Sequence, residues 1–171
     1  MSSIKVNDLD IYFERTAKTN SGPLLYIGGT AGDLRVKPNI LDSSLGKTFE
    51  VIAYDQRGLG QTSKPEGNYT MQNYADDAAG LLDALGIEQI SVLGVSFGGM
   101  VAQEFALRHP HKVTKLVLSC TSSGGAGGSS YPLHELDSTE GEEKIEKVLK
   151  LYDLRITDSW IKENPETWKQ I

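Results

Sequence analysis

The apolar residues of this chain fall into short runs separated by two longer amphipathic stretches, a pattern that predicts alternating strands and helices. Residues 4–15 alternate as an antiparallel hairpin does, around a polar turn at residues 7–10. Later runs are mostly apolar without strict alternation and lie at residues 24–27, 50–54, 87–93 and 115–120. Because such runs are typical of parallel strands covered on both faces, we expect an α/β fold. Its sheet is expected to be mostly parallel, with an N-terminal antiparallel hairpin and helices on both faces.

Two amphipathic helices are predicted between these strands. The first begins near Met71 and ends at Gly86, and its solvent-exposed face is expected to carry Asp76, Asp77 and Asp83. The second begins at a glycine-rich turn and ends near Arg108, because Pro110 prevents its continuation. Its apolar residues are Val101, Ala102, Phe105, Ala106 and Leu107.

The last third of the chain has a different composition. Glycine and serine dominate residues 121–131, which is typical of a flexible hinge. An amphipathic helix is predicted to start at residues 138–140, and helix-like spacing continues over residues 154–168. The charged residues between 140 and 150 are expected on the solvated face of that helix. We therefore expect a core at 1–123, a hinge at 124–137 and a small helical segment at 138–171.

A serine lies where an apolar strand turns abruptly into a helix, within Gly94-Val95-Ser96-Phe97-Gly98. A side chain at either flanking glycine would collide with the reversing chain, and Ser96 is expected to adopt a positive φ. That geometry exposes the Ser96 hydroxyl. It also places the amide of Phe97 at a helix N-terminus, where an unpaired N–H can stabilise an oxyanion. The pattern predicts a nucleophile at Ser96.

Two other interpretations of this turn are weaker. A serine there can be a helix N-cap, but the preceding strand favours a nucleophile. Gly94, Ser96 and Gly99 also match the spacing of a dinucleotide-binding G-x-G-x-x-G loop. The central position of that loop must be glycine, and the strand ending at Cys120 lacks the acid that binds a ribose. We expect neither a cofactor nor a metal site.

Three motifs, in their order and spacing, resemble those of the α/β-hydrolase superfamily. Residues 94–98 resemble its nucleophile elbow, and residues 55–63 resemble its D-x-R-G-x-G-x-S loop. Gly28-Gly29-Thr30 stands where the family commonly has His-Gly. The resemblance is strongest over 24–120 and closest to the cap-bearing esterase, lactonase and haloperoxidase-like branch.

The resemblance implies a serine hydrolase acting on a small ester-like molecule. Ser96 would attack the carbonyl, while the amides of Phe97 and of Gly29 or Thr30 hold the oxyanion. Asp55 and Arg57 are expected to be structural and to tie down the loop backbone.

In this superfamily the catalytic acid and histidine follow later strands. No acid stands at residues 119–123, at the end of the strand at 115–120. Because about 18 Å of helix separates His109 from Ser96, His109 and His111 are expected at the surface. His134 lies where a cap linker would be. The resemblance therefore implies a truncated α/β-hydrolase core with the start of a helical cap, which needs a C-terminal segment for its acid and histidine.

The apolar strand at 115–120 lacks the features that protect natural sheet edges. A C-terminal segment of the same protein is the partner we expect there, and self-association through this strand is the alternative. Two other functions stay open: a ligand-binding protein on the same fold, and a structural or interaction protein with half the sheet.

Net charge, apolar segments and cysteine content limit which partners and which location we expect for this protein. A net charge of −6 and an isoelectric point near 5.1, with basic residues scattered, argue against nucleic acid and anionic membranes. The first residues lack an apolar signal region, and no run approaches the length of a membrane span, so a cytoplasmic location is expected. Cys120 is the only cysteine and is expected to be a small buried hydrophobe.

Overall fold

The computed structural model describes residues 2–125, 136, 138–153, 155–168 and 170. The chain divides into two compact units, Met1–Gly128 and Ser129–Ile171. The boundary falls inside the predicted hinge, but residues 126–135 and 137, which include His134, lie outside the described residues. The hinge and the limits at 123 and 138 therefore stay predictions.

The first unit is built on a six-stranded mixed sheet with the order β1-β2-β4-β3-β5-β6. Pairing is antiparallel between β1 and β2 and between β2 and β4, and parallel in the three remaining pairs. The strands are β1 Ser2–Val6, β2 Leu9–Arg15, β3 Pro23–Ile27, β4 Glu50–Tyr54, β5 Ile90–Val95 and β6 Val113–Ser119. This confirms the predicted mostly parallel sheet with an antiparallel hairpin. The hairpin turn is tighter than predicted, because Val6 pairs with Leu9 and leaves only two residues between them.

The described part of the first unit has three α-helices, α1 Ser44–Thr48, α2 Met71–Ala84 and α3 Phe97–Arg108. Short 3-10 helices lie at Ile40–Asp42 and Pro110–Lys112. Thr70 caps α2 by accepting a hydrogen bond from the Asn73 amide, and Gly86 follows the helix with a φ of 69°. The core lies among α2, α3 and the sheet. Its fully buried side chains include Leu25, Ile27, Ile52, Leu81, Leu82, Val92, Val101 and Phe105.

Not every apolar residue of α3 faces this core. Leu107 is 78% exposed, although its apolar character placed it with Val101 and Phe105 in the predicted face.

One of the three aspartates of α2 is buried, contrary to the prediction. The side chains of Asp77 and Arg57 are only 2% and 9% exposed, and they form a bidentate ion pair with N–O distances of 2.6 and 2.7 Å. The pairing raises the pKa of Arg57 above its usual value. Asp76 and Asp83 do lie at the surface, with 41% and 65% of their side chains exposed.

The loop after β4 is held by its two charged residues in different ways. Asp55 accepts backbone hydrogen bonds from Leu34 and Gln61, each 2.8 Å long, which confirms its predicted structural role. Arg57 was expected to hold backbone as well, but it reaches α2 through Asp77 and lies 5.5 Å from the centre of the Tyr69 ring.

β6 forms the far edge of the described sheet, with β5 as its neighbour. Its apolar side chains are exposed: Leu116 by 38%, Val117 by 54% and Leu118 by 42%. Cys120 follows with a φ of 49° and is exposed. The prediction of a buried cysteine is therefore wrong, because nothing in the described part of the chain covers this edge.

The second unit contains α4 Gly141–Tyr152, α5 Asp158–Glu163 and α6 Pro165–Trp168. α4 begins just after the predicted start, with Glu140 at its N-cap. The stretch predicted as helical from 154 onward is interrupted, because Thr157 caps a new helix at α5 and Pro165 begins another at α6. The apolar side chain of Ile145 in α4 is 56% exposed.

Candidate active site

Ser96 occupies the junction between β5 and α3 in a strained backbone conformation. Its φ is 54° and its ψ −123°, as the glycine pattern predicted. Ser96 is exposed and stands at the N-cap position of α3, yet its side chain makes no capping hydrogen bond. The N-cap interpretation is therefore wrong, and the described residues leave the hydroxyl unengaged.

The glycines around Ser96 are required by close backbone contacts. A Cβ at Gly98 would overlap the carbonyl oxygens of Ile27 and Gly28 at the end of β3. A Cβ at Gly94 would lie 2.6 Å from both the carbonyl oxygen of Gly98 and the Cβ of Ala102. Both contacts are closer than real Cβ atoms allow, so the sharp turn from β5 into α3 depends on these two glycines.

The loop after β3 lies against the serine because β3 and β5 are paired neighbours. A Cβ at Gly29 would lie 3.3 Å from Ser96 Cβ and 3.9 Å from Ser96 Oγ. The loop closes as a tight turn in which the Gly32 amide donates to the Gly29 carbonyl, with Ala31 at a φ of 59°. The structure thus brings Gly29, one of the two predicted loop residues, next to the serine.

Three amides near Ser96 are free to bind an oxyanion. Phe97 is the first residue of α3, so its N–H has no partner within the helix. Within the described ranges, the amides of Gly29 and Thr30 also donate to no other group. Their assignment as oxyanion donors stays a prediction.

A glutamine that the sequence reasoning missed supports this loop. Gln56 follows Asp55 after β4, is 2% exposed, and donates a hydrogen bond of 2.9 Å from its side-chain amide to the Gly28 carbonyl. In the sequence, the indication of this supporting role is the polar side chain of Gln56 just after a buried strand.

An aromatic series connects the elbow to α2. The Phe97 ring packs edge-on against Tyr74, with 5.1 Å between centroids, and Tyr74 packs in the same way on Tyr69 at 6.1 Å. Because Arg57 lies over Tyr69, the buried ion pair and the elbow belong to one packed group.

A cavity of about 290 Å³ lies beside the glycine loop, at the carboxyl ends of β3 and β4. Ligands bind at such ends in open α/β sheets. Its lining combines the loop backbone with the side chains or backbone of Tyr26, Leu34, Val36, Pro38, Asn39, Ile40, Tyr54 and Asp55. Burial raises the pKa of the Tyr26 hydroxyl above its usual value.

The described histidines do not reach the serine. His109 lies at the other end of α3, where its Nε2 is 2.9 Å from Asp76 Oδ1, and His111 is exposed. Arg108 first, and His109 second, lower the pKa of Asp76 below its usual value. His111 therefore lies at the surface as predicted, whereas the His109 side chain is only 22% exposed and packs against Phe105. The described ranges also contain no cluster of three His, Cys, Asp or Glu side chains suited to a metal ion.

Comparisons with known proteins agree with this geometry. The family described as alpha/beta hydrolase fold matches residues 22–153. The 2-hydroxymuconate semialdehyde hydrolase of Pseudomonas sp. (strain CF600) is 38% identical over 134 residues, which are 74% of this chain and 46% of that protein. The poly(3-hydroxyalkanoate) depolymerase of Ectopseudomonas oleovorans is 37% identical, over 64% of this chain and 38% of its own length. The chain thus spans less than half the length of these two relatives.

Solved structures show the same fold. The meta-cleavage product hydrolase from Pseudomonas fluorescens IP01 superposes with a TM-score of 0.68 at 26% identity, over 95% of this chain and 61% of that one. The enol-lactonase from Burkholderia xenovorans LB400 gives a TM-score of 0.67 at 24% identity, over 99% and 65%. Among the described residues, every helix is too short or too polar to span a bilayer.

Proposed function

This chain belongs to the α/β-hydrolase fold family, and we propose that it carries the nucleophile of a serine hydrolase acting on a carboxylic ester or lactone. One observation carries the proposal: Ser96 holds a strained conformation that leaves its hydroxyl exposed and unengaged beside Gly29 and the start of α3. Non-glycine residues with such angles persist where the surrounding structure imposes them, and they cluster at active sites. The hydrolase and depolymerase names of two relatives support the reaction class.

In the proposed reaction, Ser96 Oγ attacks the carbonyl carbon of the substrate and loses its proton to a base. The negative charge that develops on the carbonyl oxygen is held by the amides of Phe97 and of Gly29 or Thr30. Collapse of this intermediate breaks the bond to the alcohol, which leaves with a proton and forms an acyl-enzyme on Ser96. Water then hydrolyses the acyl-enzyme and restores the serine.

The reaction also needs a base that accepts the Ser96 proton and an acid that orients this base, and the described residues place neither group at Ser96. A serine hydroxyl is a weak nucleophile at neutral pH unless a base accepts its proton. His109 is held by Asp76 at the far end of α3, and no described carboxylate is bonded to Ser96 Oγ. We propose that a segment outside these 171 residues supplies both groups and extends the sheet at β6. A second copy of the chain at that edge is the alternative.

The exposed edge predicts that this chain is not an isolated monomer when purified from the organism that produces it. Light scattering coupled to size-exclusion chromatography should give a mass above the 18.6 kDa of these residues. Mass spectrometry of the same fraction then distinguishes a longer chain or a second polypeptide from two identical copies. A stable, folded monomer of 18.6 kDa would show that β6 needs no partner.

The oxyanion role of the glycine loop is tested by acylation kinetics. In rapid mixing with a p-nitrophenyl ester, the protein should release a burst of p-nitrophenol equal to its nucleophile concentration. Gly29→Val should slow that burst by about 100-fold, since a side chain there contacts Ser96 and displaces the loop amides. Gly28→Ala is the matched control, because its Cβ would meet only Tyr26, at an ordinary 3.5 Å. Equal burst rates in the two folded variants would reject this assignment.

A further inference from the structure

The last residue of β6 and the segment that follows it hold both backbone groups of Ser96. The Ser96 N–H donates to the Ser119 carbonyl at 3.0 Å. The Thr121 hydroxyl donates to the Ser96 carbonyl at 2.7 Å, and the Gly99 amide donates to the same oxygen at 2.9 Å. The conformation of the elbow is therefore set in part from outside β5 and α3.

Thr121 is also fitted closely to the first turn of α3. A Cβ at Gly99 would lie 2.5 Å from three side-chain atoms of Thr121, so this glycine makes room for the threonine. The side-chain amide of Gln103 donates to the carbonyls of Ser122 and Gly99, at 2.9 and 3.1 Å. The segment is thus also fastened to α3 one residue after Thr121, through the Ser122 carbonyl.

The backbone is strained at both ends of the hydrogen bond between Thr121 and Ser96. Ser96 has a φ of 54° and Cys120 a φ of 49°, which are conformations that non-glycine residues rarely adopt. Cys120 connects the acceptor of the Ser96 N–H at Ser119 to the donor at Thr121. Its turn is what allows both groups to reach Ser96.

The Ser96 carbonyl and the Phe97 amide belong to one planar peptide unit. In a trans peptide the C=O and N–H bonds point in opposite directions, so a donor that fixes the carbonyl also fixes the direction of the Phe97 N–H. A hydrogen bond accepted by the carbonyl polarises the same amide and makes its N–H a better donor.

We propose that Thr121 is a positioning residue that orients the Phe97 N–H toward the oxyanion. The proposal rests on the proposed role of Ser96 as nucleophile, because it acts on the donor that this reaction requires. Thr121 touches neither substrate nor reacting atoms in this scheme. Its hydroxyl acts through the peptide between Ser96 and Phe97.

The test compares variants that separate the hydroxyl of Thr121 from its bulk. Thr121→Val keeps the shape and removes the donor, and Thr121→Ser keeps the donor and removes the methyl group. The burst rate with a p-nitrophenyl ester should fall about tenfold or more in Thr121→Val, with little change in KM, and return in Thr121→Ser. Thr48→Val is the matched control, because the Thr48 hydroxyl donates to the Ser44 carbonyl at 2.9 Å in α1.

A second measurement does not depend on activity. Hydrogen exchange of the amides in residues 94–100 should be faster in Thr121→Val than in the wild type, and unchanged in Thr48→Val. If Thr121→Val does not fold, Thr121→Ala and Thr121→Ser provide the same comparison, since both lose the methyl group and only serine keeps the hydroxyl.

The outcomes separate this inference from the proposed function. Absence of any burst from protein produced in its own host, where a partner that completes the site stays attached, would reject the nucleophile. The exchange data would then decide whether Thr121 holds the elbow. The positioning role would be overturned by a normal burst in Thr121→Val or by equal losses of burst rate in the valine and serine variants. Unchanged hydrogen exchange at residues 94–100 would overturn it as well.

Discussion

Replacement of Ser96 by alanine is expected to lower ester hydrolysis by on the order of 10⁴-fold or more. The substitution removes the atom that would form the acyl-enzyme, so both the burst and the steady-state release of p-nitrophenol should disappear. The fold should not change, because Ser96 is exposed and its hydroxyl makes no capping bond to α3. Protein produced in its own host is the material for this assay, since any partner that completes the site then stays attached.

Ser123→Ala is the matched control for this substitution. Ser123 is another exposed serine near the end of β6 and has no assigned role in the elbow. Its variant should hydrolyse the ester at the wild-type rate, and both variants should melt at the wild-type temperature. Turnover that survives in Ser96→Ala would assign the chemistry to a different group.

Replacement of Asp77 by asparagine is expected to reduce the free energy of unfolding by about 3–5 kcal/mol. Asparagine has nearly the same shape but no charge, so the buried Arg57 guanidinium would lose the carboxylate that compensates it. Urea denaturation followed by circular dichroism measures the change as a shift in the transition midpoint.

The neighbouring residue provides the control. Asp76 also pairs with an arginine, Arg108, but its side chain is 41% exposed, so Asp76→Asn should cost no more than about 1 kcal/mol. Arg108 and His109 lower the pKa of Asp76, so the stabilisation from this pair is present at neutral pH. It is lost as the pH falls through that lowered pKa. If Asp77→Asn and Asp76→Asn lost the same free energy of unfolding at neutral pH, the result would contradict the burial of the pair between Asp77 and Arg57.

The sequence predicts the sheet and the elbow well because their signals are local. All six strands correspond to predicted segments: two to the alternating hairpin and four to short apolar runs. The positive φ of Ser96 follows from Gly94 and Gly98 within the same five residues. The order of the strands along the sheet, by contrast, was not predicted, because no single run shows which strands become neighbours.

Interactions between distant segments explain what the sequence analysis missed. Asp77 is polar and lies between apolar positions of α2, so periodicity places it in solvent. Its burial depends on Arg57, which arrives from a loop twenty residues earlier. Cys120 was expected in the interior because its strand is apolar, but β6 is an edge of the described sheet.

The residues that support the site were also missed because their contacts join distant segments of the chain. Gln56 and Thr121 act on backbone carbonyls, of Gly28 and Ser96, that belong to other segments of the chain. A motif that lists side chains does not contain such contacts. The third glycine of the elbow, Gly99, was the one available indication, because it leaves the space that Thr121 fills.

The proposal that Ser96 is the nucleophile is tested most directly by identifying the residue that a fluorophosphonate modifies. Protein purified from its natural source is treated with the reagent, digested, and mapped by tandem mass spectrometry. We expect one phosphonyl group per chain, located on Ser96. Absence of an adduct, or an adduct on any other residue, would contradict it.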